Sequence, residues 1–115
     1  MLFDFEIIDV VEREPSGTSL VGYVTEDYVT LVEAFGPPSR QIWGGDKVCV
    51  MWELEFTVQE QGEDDTRTVR ATIYDWKEDN CTVAMNAPSY KWHIGGDTND
   101  AVDCVNQCIG AVYAV

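Results

Sequence analysis

The stretch Val48-Cys49-Val50-Met51-Trp52-Glu53-Leu54-Glu55-Phe56-Thr57-Val58 alternates almost without a break. Val48, Val50, Trp52, Leu54, Phe56 and Val58 share one side, and Cys49, Met51, Glu53, Glu55 and Thr57 share the other. One apolar and one mixed face at period two specify a half-buried antiparallel strand. The polar run Glu60–Thr66, centred on Gly62, turns the chain into a second strand rich in β-formers, Arg67–Trp76. Strands near 47–58 and 67–76 therefore form a hairpin, the anchor for everything around it.

Upstream, Phe3, Phe5 and Ile7 alternate with Asp4 and Glu6, which predicts an N-terminal strand, ended by turn chemistry at Glu12–Gly17. An extended piece, Ser19–Tyr23, leads into a helix near 25–35. Thr25 is its expected N-cap, Glu26 and Asp27 fill the first turn, and Tyr28, Leu31, Val32 and Phe35 form the buried stripe. Gly36 suits the C-cap, and Pro37-Pro38 stops the helix. A loop with Trp43-Gly44-Gly45 returns to the hairpin. Downstream, Lys77–Ser89 reads as a long loop, and Tyr90–Ile94 alternates as a third strand that Gly95-Gly96 breaks. Asp97 or Thr98 then caps a helix near 98–112 with Ala101, Val102, Val105, Cys108, Ile109 and Val112 as its stripe. The order β-α-β-β-β-α predicts a two-layer α+β domain over residues 1–115, an antiparallel sheet with two helices on one face. The face carrying Cys49, Met51, Glu53 and Glu55 is expected to stay open.

Composition bounds the function. The chain has 115 residues, 45% apolar and 11% aromatic, which is globular. No apolar run approaches the ~20 residues that span a bilayer, and the acidic N-terminus is unlike a secretory leader. Without an export signal, Cys49, Cys81, Cys104 and Cys108 are expected to be reduced, with two disulfides as the alternative. Twenty-one acids against seven basic residues give a net charge of -14. That excludes a basic nucleic-acid footprint and disfavours anionic membranes, leaving solubility or a basic partner. Spread evenly over roughly 6,300 Å², the net charges sit about 450 Å² apart, too dilute to imitate a phosphate backbone unless they cluster.

Several strings combine aromatic residues with glycine: Gly22-Tyr23, Tyr28 with Leu31, Phe35-Gly36-Pro37-Pro38, Asp46-Lys47 with Trp52, Ile73-Tyr74-Asp75-Trp76-Lys77 and Trp92-His93-Ile94-Gly95-Gly96. In them the chain resembles small uncharacterised accessory proteins of tailed phages and large DNA viruses, over about residues 20–105. The resemblance implies a viral accessory role in the host-cell cytoplasm and transfers no active site.

Candidate chemistry is sparse. Gly95-Gly96-Asp97-Thr98 lies where a helix N-terminus receives anions, but Asp97 and Asp100 already fill it with negative charge. Cys104 and Cys108 with His93 and Cys49 have ligand types for zinc, yet core packing is the favoured reading and no metal or cofactor is expected. His93, the sole histidine, has Asp75 or Glu53 as partners for base catalysis, but no nucleophile motif accompanies it. The expectation is a non-enzymatic protein. Its acidic residues Glu53, Glu55, Glu63, Asp64 and Asp65 would bind a basic surface of a host protein, as an inhibitor or nucleic-acid decoy. The alternative uses Tyr74, Trp76 and Lys77, with Arg70 and Lys91, to stack a small nucleotide-like ligand. Both parities of the second strand carry apolar residues, so the side Trp76 faces stays open, as does the oligomeric state, a dimer included.

Overall fold

A computed structural model describes residues 5–13, 18–41, 47–78 and 82–114. Expectations for Phe3, the turn at Glu14–Gly17, the loop at Trp43–Gly45, and Asp79, Asn80 and Cys81 lie outside them. The strands are β1 (Phe5–Glu12), β2 (Ser19–Glu26), the two-residue β3 (Arg40–Gln41), β4 (Val50–Glu60), β5 (Thr66–Tyr74) and β6 (Tyr90–Gly96). The helices are α1 (Tyr28–Phe35), the single turn α2 (Val83–Asn86) and α3 (Asp100–Tyr113). The fold is two-layer α+β. All pairings are antiparallel, in the order β1-β4-β5-β6-β2, with β3 extending the β1 edge beside β4.

The hairpin organises the sheet as its alternation requires. Val50, Trp52, Leu54, Phe56 and Val58 are buried, and Val69, Ala71 and Ile73 continue their face on β5. Leu31 of α1 and Ala101, Cys104, Val105 and Ile109 of α3 cover that face. Gly62 turns the hairpin with φ 79°, a left-handed conformation that favours glycine. Two tryptophans tie the layers together. Trp52 and Trp92 meet edge to face at 5.5 Å, and each indole N–H donates to a carbonyl flanking α1, Gly36 O at 2.9 Å and Glu26 O at 3.0 Å.

Local boundaries differ from expectation. β2 runs on through Thr25 and Glu26, whose partners on β6 are Lys91 and Tyr90, so the cap of α1 is Asp27, accepting from Thr30 N at 2.8 Å. Strand pairing outcompetes the capping preference of Thr25. Gly95-Gly96 does not break β6 but completes it. A Cβ on Gly96 would stand 2.6 Å from Ala101 Cβ, and one on Gly22 2.7 Å from Val102 Cγ2, so the glycines let α3 sit close on the sheet. α3 is capped at Asn99, with Thr98 Oγ1 accepting from Asp100 N. The loop expected at Lys77–Ser89 contains α2.

The largest correction concerns the open face. Glu53 is only 4% exposed, and Thr72, its partner on β5, is buried beside it. The reason is topological: β1 and β2 are consecutive in the chain yet occupy opposite edges of the sheet. At one end of their connection Arg13 N donates to Glu53 O, continuing the β1–β4 ladder, and at the other Thr18 shares a cleft with Glu53 and Thr72. Cys49 is disulfide-bonded, against the expectation of reduced thiols, whereas Cys104 and Cys108 are free. Among the described residues no helix is long and apolar enough to cross a membrane.

Candidate functional site

The face opposite the helices carries a ring cluster. Strand pairing sets Tyr74 opposite His93 and His93 opposite Tyr23, so three strands deliver their rings to one row. His93 lies at the centre, 4.9 Å from the Tyr23 ring, 5.4 Å from Tyr74 and 5.8 Å from Trp76. Trp76, just beyond β5, is 36% exposed and stands edge-on to Tyr74 at 6.2 Å. The question of its side is thus settled by the turn after Tyr74: Trp76 faces away from the helices.

Cations gather around these rings. Lys47 Nζ lies 5.8 Å and Lys77 Nζ 5.7 Å from the Trp76 ring centre, and Lys91 Nζ is 4.3 Å from that of Tyr23. These are all the lysines of a chain with net charge -14. Each pair is within the range of a cation–π attraction. Arg70, expected with them, instead holds Asp97 at 2.7 Å.

The segment bearing Trp76 and Lys77 is pinned on every side. Asp75, 1% exposed, accepts from Cys49 N and Val50 N at 2.8 and 3.0 Å. Tyr90 Oη accepts from Trp76 N at 3.3 Å and donates to Glu78 Oε1 at 2.7 Å. Burial, then that carboxylate, pushes the Tyr90 hydroxyl well up. Lys77 N donates to Lys47 O at 2.8 Å, and Lys77 has φ 54°. A lysine in the left-handed region is strained by about 1–2 kcal/mol, and the surrounding hydrogen bonds hold it there.

Beside the rings lies a cleft of about 340 Å³. Met51, Tyr74 and Trp76 wall it together with Val48, which was expected on the helix-covered face but precedes the start of β4 at Val50 and so escapes its alternation, and Thr18, Glu53 and Thr72 supply its polar groups. Gly95 makes room for this arrangement, since a Cβ there would collide with Thr72 Oγ1 and touch Thr18 Oγ1 at 3.4 Å. Burial and then Lys91 lower the pKa of His93 below its usual 6.5, which keeps the imidazole neutral near pH 7. Burial likewise raises the Tyr74 hydroxyl, with Tyr23 adding to it.

Other expected residues fall elsewhere. Glu63, Asp64 and Asp65 sit exposed at the β4–β5 turn, where Glu6 and Glu60 join Glu63 around a second hollow. Met51 to Gln59 is eight residues of strand, so this acidic tip lies roughly 26 Å from the lysines. Glu55 is half-buried and reaches Arg13 at 3.6 Å, and Glu53 is buried. The two do not extend the acidic loops into one exposed surface, which corrects that expectation. His93 and Asp75 do not form a catalytic pair, because Asp75 is engaged by backbone N–H groups at the start of β4. Nor does the zinc alternative assemble: Cys104 lies in the core, where burial pushes its thiol to about 12, while His93 is on the other face. Sequence reasoning missed Tyr23, Lys47, Thr18 and Thr72. Lys47 was not detectable by parity, since β4 begins only at Val50 and Val48 and Met51 line the same cleft. Nor was Tyr23, because β2 changes register between Leu20 and Gly22.

No protein-family model matches the chain, and no match was found among curated proteins or solved structures.

Proposed function

We propose that the protein is a non-enzymatic binding protein for a planar, anionic small molecule of nucleotide-like chemistry. The observation that carries this is the convergence of all three lysines on the Tyr23–His93–Tyr74–Trp76 rings beside a cleft of about 340 Å³. Ligand sites start near ~300 Å³ and combine apolar walls with a few convergent polar groups. An aromatic ring lying on Trp76 would gain stacking, and its anionic group would meet Lys47 and Lys77. In an otherwise acidic molecule these ammonium groups are the local exception that admits an anion.

The test is calorimetric titration with a panel of nucleoside monophosphates. Base stacking is worth ~1–3 kcal/mol by alanine substitution, so Trp76→Ala should weaken binding roughly 5- to 150-fold, with the circular dichroism spectrum unchanged. Lys77→Gln should weaken it and flatten its salt dependence. Absence of binding by every nucleotide, or full affinity in Trp76→Ala, overturns the proposal.

A second reading is favoured by the clustering of Glu6, Glu60, Glu63, Asp64 and Asp65 at the hairpin tip. There the acids escape the dilution of an even spread, and they would engage a basic surface of a host protein. The viral setting follows only from the resemblance.

A further inference from the structure

We infer that the site takes two linked nucleotides, a 5′-phosphorylated dinucleotide laid across β5, β6 and β2, rather than a single one. This rests on the reading of the Trp76 face as a nucleotide site and deepens it.

The cations of this face form two groups. Lys47 and Lys77 lie at Trp76, beyond the end of β5, whereas Lys91 of β6 lies 4.3 Å from the ring centre of Tyr23 on β2. A monophosphate stacked on Trp76 brings its phosphate to the first group and leaves the second without an anion. Among the described residues none of the three lysines is in an ion pair, whereas Arg13, Arg67 and Arg70 each hold a carboxylate. Lys91 is exposed, and its ammonium is a second receptor for phosphate.

Rings join the two groups. His93 lies 4.9 Å from Tyr23 and 5.8 Å from Trp76, so the aromatic surface is continuous between them. β5, β6 and β2 are neighbours, and two strand spacings put Tyr23 roughly 10 Å across the sheet from β5. Two bases resting on rings so placed are joined by one backbone step of an extended strand. Tyr23 is 45% and Trp76 36% exposed, so both outer rings offer surface to a base. Such stacking accepts any base, because each has a π-face. Lys91 covers part of Tyr23 and leaves the rest of that ring to the second base.

Charge limits the length of the ligand. The chain has no fourth lysine and a net charge of -14. A longer strand adds phosphates that no lysine receives, against the field of an acidic molecule. The face therefore fits a dinucleotide and not a polynucleotide, which needs a broad basic footprint.

Calorimetric titration of the intact protein with adenosine 5′-monophosphate, the 5′-phosphorylated adenosine dinucleotide and the matching tetranucleotide tests this. The dinucleotide should bind at least about fivefold more tightly than the monophosphate, the low end of what one added stack contributes. The tetranucleotide should gain no more than about threefold over the dinucleotide, from the registers in which it can lie. In Tyr23→Ala the preference for dinucleotide over monophosphate should fall below about threefold. Lys91→Gln should remove the steeper salt dependence of the dinucleotide, because one phosphate contact is lost. Equal affinity for monophosphate and dinucleotide in the wild-type protein overturns this inference while the stacking site on Trp76 stands. A dinucleotide preference and salt dependence that survive both substitutions overturn the path across β6 to Tyr23. A larger gain for the tetranucleotide overturns the limit on length. Binding of none of the three overturns the nucleotide reading and this inference with it. The wild-type ratios decide even where a variant fails to fold.

Discussion

Asp75 shows how one buried carboxylate builds a site it does not line. Its Oδ1 accepts from Cys49 N and Val50 N, and its own N–H donates to Val50 O at 3.2 Å. These bonds fasten the end of β5 to the start of β4 and present Trp76 and Lys77 next to Lys47. Asp75→Ala would leave two buried N–H groups without that acceptor, at ~1–3 kcal/mol each, so a loss of about 2–6 kcal/mol is expected. Urea unfolding measures it. A loss under about 1 kcal/mol would mean that water or a rearranged loop replaces the carboxylate.

At the scale of elements, α1 is the instructive case. It has eight residues, fewer than the ~12–15 at which an isolated helix becomes even marginal, so its stability comes from packing, with Leu31 fully buried, and from its ends. Trp92 and Trp52 hold the flanking carbonyls, Gly36 N donates to Val32 O at 2.7 Å, and Asp27 caps the N-terminus. Hydrogen bonds from the Thr30 side chain and backbone lower the pKa of Asp27 below its usual 3.8. Because the folded pKa is the lower one, this stabilisation is present above pH 3.8 and fades as pH falls through the folded value. Asp27→Ala should therefore cost about 1 kcal/mol at pH 7. The two stability curves should converge under acid conditions, as chemical denaturation at several pH values will report. A constant gap down to the lowest accessible pH would show that the cap does not act through its charge.

Across the whole molecule, charge is divided. The lysines and rings occupy one end of the β4–β5 hairpin, and Glu63, Asp64 and Asp65 the other, roughly 26 Å away along the strand. Screening extends only ~8 Å at physiological salt, so the two ends act independently. Reversing Glu63, Asp64 and Asp65 to lysine should change nucleotide affinity less than about twofold, and stability by no more than ~0.5 kcal/mol per site. Retention on an immobilised basic protein should drop in the same variant. Unchanged retention would count against the acidic tip as an interface and leave its charge to solubility.

The sequence by itself determined the hairpin, the face that Trp52 presents to the core, the stripes of α1 and α3, and the glycines at positions 36 and 62. Each depends on neighbours within a few residues, through side-chain period or a backbone angle that glycine tolerates. Tertiary structure alone decided which strands are neighbours. Alternation separates two faces but does not say what crosses them, so Glu53 read as exposed until β1 and β2 took opposite edges. The same ordering brought Tyr23, Tyr74 and His93 into one row and set the three lysines around it. Sequence separations of up to about seventy residues were bridged there by backbone pairing, which carries no signature in composition or spacing.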